Sequence, residues 1–217
     1  MDEFWDYYDW GTYLEPKVLQ LSNRGAILFG LYCCERLRSE FANRHPDSDL
    51  LDETVRAATE FIRGSRINRE GVHSLWYKVA SHDRGCSPAN IPLSASCNAI
   101  DALLECLEEI ADGREGGFVA FRAASAGNYA LVLENCRPSD KPLGSPARFC
   151  RWDGSLLTSP PGEMRKQTEI LDEIRGVLPK QQPADGAPTD PAPFLARWVQ
   201  GTLDWSRTIS TFDRLES

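Results

Sequence analysis

The sequence predicts an all-α fold: a multi-helix bundle, a Pro-rich linker and a C-terminal helical tail. Two observations carry this. Apolar residues recur at three- and four-residue steps through most of the chain, and no sustained alternation marks a sheet. The run Gly25–Phe41 begins apolar on every side and turns amphipathic, ending in Glu-Arg pairs. A helix apolar all round must be enclosed by protein or lipid. This one charges too quickly to span a bilayer, which takes about 20 apolar residues. It is therefore expected to be the central helix of the bundle.

The other elements follow in chain order. Residues 1–13 hold Phe4, Trp5, Tyr7, Tyr8, Trp10 and Tyr13 among Asp2, Glu3, Asp6 and Asp9, which suits a docked arm or a short first helix. Pro16 favours a helix start near Glu15. Asn23 caps the central helix, unless the helix runs through from Pro16. The helix should end before His45-Pro46, because a residue preceding proline avoids the α region. Asp47-Ser-Asp49 then offers an N-cap, and Leu51, Val55, Ala58, Phe61 and Ile62 mark the next helix, stopped by Gly64. Asn68 caps a helix from Arg69 to about Val79, with Val72, Leu75, Trp76 and Val79 on one face. His73 on that helix is read as core packing beside Trp76 and Tyr77. Residues 81–92, with Gly85, Pro88 and Pro92, read as a long loop.

The clearest amphipathic helix is expected at residues 94–112, with Ile100, Leu103, Leu104, Leu107, Ile110 and Ala111 forming its stripe and Gly113, Gly116 and Gly117 ending it. A helix over Phe118–Cys136, an irregular stretch over 137–161 and a helix over Gly162–Leu178 follow. The last carries Met164, Ile170, Leu171, Ile174 and Val177 on its apolar face. Residues 180–193 contain Pro183, Pro188, Pro191 and Pro193 among small and polar residues, a linker composition. Helical spacing returns from Phe194 through Leu195, Trp198, Val199 and Leu203. The expected division is a helical domain (1–178), a linker (179–193) and a tail (194–217) that docks in cis or in trans.

Composition narrows the function classes. The chain has 217 residues, 41% of them hydrophobic, enough for one domain with a real core. Its net charge of −8 disfavours nucleic acid, whose backbone demands a basic patch, and suits a basic protein partner. No run suits a membrane span. The opening Met-Asp-Glu-Phe-Trp-Asp lacks the basic start and apolar run of a secretory signal. Seven cysteines at irregular spacing, an odd number, suit a reducing compartment, so a cytoplasmic protein is expected.

Catalytic and cofactor motifs are weak, and no metal or cofactor is expected. Cys33-Cys34 are adjacent in an apolar helix and read as small core residues. His82, Cys86 and Cys97 make a loose cluster without the close ligand pairs of a zinc site. His82, Asp83 and Cys86 supply an alternative reading, a small enzyme whose site lies in the 81–92 loop. Gly113-Arg-Glu-Gly-Gly117 follows a helix and lacks the lysine of a phosphate-binding loop, so it is a turn.

Two features point to a partner. Asp101, Glu105, Glu108, Glu109 and Asp112 fall at i, i+4, i+7, i+8 and i+11 of one helix, an acidic stripe opposite the apolar one. Acids in a last turn oppose the helix dipole, each costing about 0.3–1 kcal/mol when exposed. Such a stripe is either a docking surface or a face neutralised by arginines of neighbouring helices. The second feature is the N-terminal arm, where Trp5, Tyr8 and Trp10 among acids have the composition of a recognition surface. These eight residues are the expected contacts to a protein partner. A helical scaffold or homo-oligomer exchanging its tail is the remaining reading.

Phe29-Gly-Leu-Tyr-Cys-Cys-Glu-Arg-Leu-Arg-Ser-Glu-Phe41, the helix from Leu50 to Ile62 and Ala99-Ile-Asp-Ala-Leu-Leu-Glu-Cys106 resemble the YjaG-like bacterial family of all-helical proteins of unknown function. The resemblance covers roughly residues 18–137. It implies an all-helical fold, singles out Glu35, Arg36 and Asp101, and supplies no catalytic residue. The pattern of helices, the acidity and the size are more loosely similar to the helical immunity proteins of bacterial toxin systems. That likeness implies inhibition of a basic toxin through acidic and aromatic surface.

Overall fold

The computed structural model describes residues 14–83, 91–117, 120–124, 137–138, 149–150, 162–178 and 189–200. The fold is all-helical. A helical turn at 14–18 leads into α1 (Asn23–Arg36), α2 (Arg38–Arg44), α3 (Leu50–Ile62), α4 (Arg69–Asp83) and α5 (Ile91–Ala111). Residues 120–124 are helical, and α6 (Gly162–Val177) and α7 (Ala192–Trp198) follow. Arg137 pairs with Cys150 and Pro138 with Phe149 in a two-residue antiparallel bridge within the stretch expected to be irregular.

The apolar run does form the centre. Every residue of α1 from Gly25 to Cys34 is buried, and the helix packs against α5, α3, α6 and α7. Its cap is Ser22 rather than Asn23. The Ser22 hydroxyl accepts from the Gly25 amide (3.1 Å) and donates to the Leu178 carbonyl (3.1 Å), tying the start of α1 to the end of α6. The expected single helix to Phe41 is broken at Leu37, whose amide bonds to the Cys34 carbonyl, three residues back. α2 restarts there and ends before His45-Pro46, as the proline requires.

Two stops fall on the glycines that the sequence marked. Gly64 (φ 100°) and Gly113 (φ 78°) adopt the left-handed region after α3 and α5. In each case the next residue's amide returns to a carbonyl five back: Ser65 to Glu60 and Arg114 to Glu109, both 2.9 Å. This is the Schellman closure, which satisfies carbonyls that the helix leaves open.

The 81–92 loop is shorter than expected. α4 runs to Asp83, and α5 starts at Ile91, with Pro92 in its first turn. A first-turn proline costs nothing, since that amide has no intrahelical acceptor. The same logic places Pro193 inside α7, which starts at Ala192. On α6 the buried apolar residues are Ile170, Leu171 and Ile174, followed by Leu178, with Gln167 buried beside them, while Val177 is 39% exposed and not part of the apolar face; the Met164 side chain lies outside the described residues. Trp198 of α7 is buried against α1, edge-on to Tyr32, with its indole N–H donating to Glu173 (2.7 Å). The first turns of the tail thus dock in cis. Residues 179–188 and 201–217, and all but 120–124 of the expected 118–136 helix, lie outside the described residues.

Among the described residues, no helix is long and apolar enough to cross a membrane.

Candidate functional site

The acidic stripe sits on the outer side of α5, partly exposed. Its inward neighbours Leu103, Leu104 and Leu107 are buried, which fixes the stripe outward. Four of its members face a basic side chain of the same protein. Glu105 pairs with Arg122 (2.5 Å), Glu109 with Arg114 (3.7 Å), and Asp112 with Arg69 and with Arg114 (3.2 Å). Glu108 lies 3.7 Å from the His73 imidazole. Of the sequence's two readings of the stripe, neutralisation by arginines of neighbouring helices describes Glu105 and Asp112, while Arg114, which meets Glu109, lies just past the end of α5 itself. Partial burial pushes the Glu105 carboxyl up, against the pull of Arg122. Asp101 is half-buried on the same face. Trp5, Tyr8 and Trp10 lie outside the described residues.

An aromatic surface does adjoin the stripe, and it includes His73, which the sequence assigned to core packing. His73, Trp76 and Tyr77 stand at i, i+3 and i+4 on α4, so their rings share one face. His73 stacks on Trp76 (6.4 Å between centroids), and Tyr77 meets both edge-on at 5.0 and 5.7 Å. The tyrosine is 61% exposed and the histidine side chain 54%. Val72, Leu75 and Val79 take the buried positions of α4 and turn this trio outward. The signal was present in the spacing: positions 72, 75 and 79 define a complete apolar stripe, and 73 and 77 fall off it.

A second group of titratable side chains gathers where α2 meets α4 and α5. Glu40 is 2% exposed, on the inner face of α2. Neither of its oxygens makes a hydrogen bond of ordinary geometry. The Ser96 hydroxyl of α5 and the charge of Arg44 offset part of its burial, which nevertheless pushes the carboxyl up to about 7. His45, just past α2, packs on Phe41 (4.9 Å) and edge-on against His82 of α4 (4.7 Å). Its buried Nε2 has no hydrogen-bond partner. His82 Nδ1 lies 2.8 Å from the Lys78 carbonyl, so that nitrogen carries the proton and donates. His82 therefore belongs to a packed His-Phe-His group, which spacing along the chain could not reveal. Cys86 of the alternative enzyme reading lies outside the described residues.

A third group joins α1 to α6. Tyr32 donates to Glu163, and Arg36 bonds the other oxygen of the same carboxylate at 3.0 Å. The Arg36 and Glu163 side chains are only 10% and 9% exposed. Burial first, and Glu163 second, push the Tyr32 phenol far up, so it stays a donor. Glu35, the neighbour singled out by family resemblance, pairs with Arg38 (2.6 Å), which also reaches Asp52 (2.5 Å).

Among the described residues, no three His, Cys, Asp or Glu side chains are placed to hold a metal ion. Cys33, Cys34 and Cys106 are buried, and burial raises all three thiols, which makes them poor nucleophiles. Two clefts flank α3. One of about 500 Å³ lies against α7 and is walled by Val55, Thr59, Leu195 and Val199. One of about 260 Å³ lies against α4 and is walled by Arg56, Glu60, Arg66 and Lys78. Neither contains the buried Glu40 or Glu163 groups.

The chain matches no family model, no curated protein and no solved structure.

Proposed function

We propose that this chain is a protein-binding module, an immunity-type inhibitor that covers a basic site on a toxin with the acidic and aromatic face of α4 and α5. The observation that carries the reading is the outward trio His73, Trp76 and Tyr77 set beside Glu108. Folding gains nothing from leaving a tyrosine ring in water, whereas Trp and Tyr are the side chains that most often anchor interfaces. The carboxylates beside them give the face the sign that suits a basic partner, and the chain's net charge of −8 has the same sign.

The internal ion pairs of the stripe are compatible with this role. Exposed pairs contribute only about 0–1 kcal/mol, so Arg122 and Arg114 can yield their carboxylates to a partner's arginines at little cost. Trp5, Tyr8 and Trp10 are proposed to extend the same kind of surface. Binding in the cytoplasm, where the thiols stay reduced, fits the cysteine usage.

The test is a tagged pull-down from the native host at low and moderate salt, followed by binding measurements on the purified partner. Tyr77→Ala is expected to weaken binding by about 30-fold, the effect of losing a 2 kcal/mol anchor. Glu108→Gln should slow association and flatten its salt dependence, while leaving dissociation nearly unchanged. A captured partner that binds both variants like the wild type would remove this face from the interaction.

A further inference from the structure

We infer that α2 is a pH-sensitive latch, seated on α4 and α5 when Glu40 carries a proton and His45 does not, and loosened when Glu40 ionises. The geometry is that of a small movable element. α2 has seven residues, is separated from α1 by the break at Leu37, and turns into α3 through residues 45–49. Its inner face buries a carboxyl group with no hydrogen bond of ordinary geometry, in the first turn of the helix and against Ser96 of α5. One residue past its end, the buried Nε2 of His45 is likewise unpartnered, and the ring is wedged between Phe41 and His82. Phe41, between the two groups in sequence, is itself buried and closes the contact.

Both groups are neutral when the latch is seated, since an unpaired charge is the costliest thing to bury. Among the described residues, the ionisable groups acting on them are Arg44 on α2 itself, which draws Glu40 down and disfavours a charged His45, and His82 from α4, which also disfavours it. From α5 the group facing Glu40 is the Ser96 hydroxyl, which does not titrate. The outer side of α2 is held differently, by Arg38 bridging Glu35 and Asp52. Release of the inner face therefore leaves a tether.

The direction with pH follows from the shifts. The Glu40 carboxyl is raised from 4.5 to about 7 in the folded protein. Its contribution is fully present below 4.5 and is lost as pH rises through about 7. His45 is lowered from 6.5, chiefly by burial, so its contribution is present above 6.5 and lost as pH falls through its folded value. The latch is tightest in mildly acid solution and loosens above neutrality.

Amide hydrogen exchange, corrected for the intrinsic pH dependence of exchange, tests this on the full chain. Protection of residues 38–44 is expected to fall at least tenfold between pH 6 and pH 8 relative to α3. In Glu40→Gln, an isostere of the protonated acid, that fall should vanish. Carboxyl NMR of the wild type gives an independent readout that needs no variant: Glu40 should titrate near neutrality. Titration in the ordinary carboxylate range, or equal pH dependence of protection in wild type and Glu40→Gln, would overturn the latch.

Discussion

Glu163→Ala is expected to destabilise the protein by about 3–5 kcal/mol, the cost of removing one partner of an ion pair that is almost wholly withdrawn from solvent. The carboxylate serves two helices and three groups. It accepts from Tyr32 and from Arg36, and it offsets the repulsion between Arg36 and Lys166, whose ammonium is already pulled down by burial and by Arg36. Truncation leaves two cations near each other and a buried phenol without its acceptor. Glu163→Gln keeps an acceptor for Tyr32 but removes the charge, so its cost should fall between those of Glu163→Ala and Tyr32→Phe. The latter loses one hydrogen bond to a charged group, about 1.5–3 kcal/mol. Urea unfolding at neutral pH orders the three. A loss below about 1 kcal/mol for Glu163→Ala would mean that the pair behaves like a solvated surface bridge, and that α6 is held by its apolar face alone.

The helices were legible because their signals are local. An apolar run, a cap residue and a glycine stop act within a few positions of the chain, and Gly64 and Gly113 end helices where the pattern said they would. Boundaries moved where two local signals compete: Pro92 reads as a loop residue yet is at home in a first turn, and Leu37 reads as helical yet marks the break between α1 and α2. The site was less legible because its terms are not local. The acids at 105, 109 and 112 look like a bare stripe until Arg122, Arg114 and Arg69 are folded against them. Glu40 looks like one more surface acid of a Glu-Arg segment until Ser96, more than fifty residues away, is packed over it. The outward position of Tyr77 is legible in the spacing alone, since the buried face of α4 is complete without it.

Gly30 and Leu103 provide the sharpest test of the core, because the expected result is a failure of additivity. Gly30 lies mid-way along α1, where glycine is about 1 kcal/mol worse than alanine for the helix. A Cβ there would sit 2.9 Å from Leu103 Cδ1, closer than such atoms approach. The glycine is thus the notch that lets α5 seat a leucine against the central helix. Gly30→Ala gains helix propensity but overpacks the seam, which costs about 1–3 kcal/mol, so the net change should be a loss of up to about 2 kcal/mol. Leu103→Ala empties a fully buried position and should cost about 2–5 kcal/mol. In the double variant the new methyl enters the space that the leucine vacates. The clash disappears, the cavity shrinks and the propensity gain remains. The pair should therefore be more stable than the sum of its parts by about 1–3 kcal/mol, the range of coupling between residues in contact. Denaturant midpoints of the four proteins close the cycle. A coupling near zero would mean that α1 and α5 shift apart to accept the methyl, and that the notch at Gly30 does not set their separation.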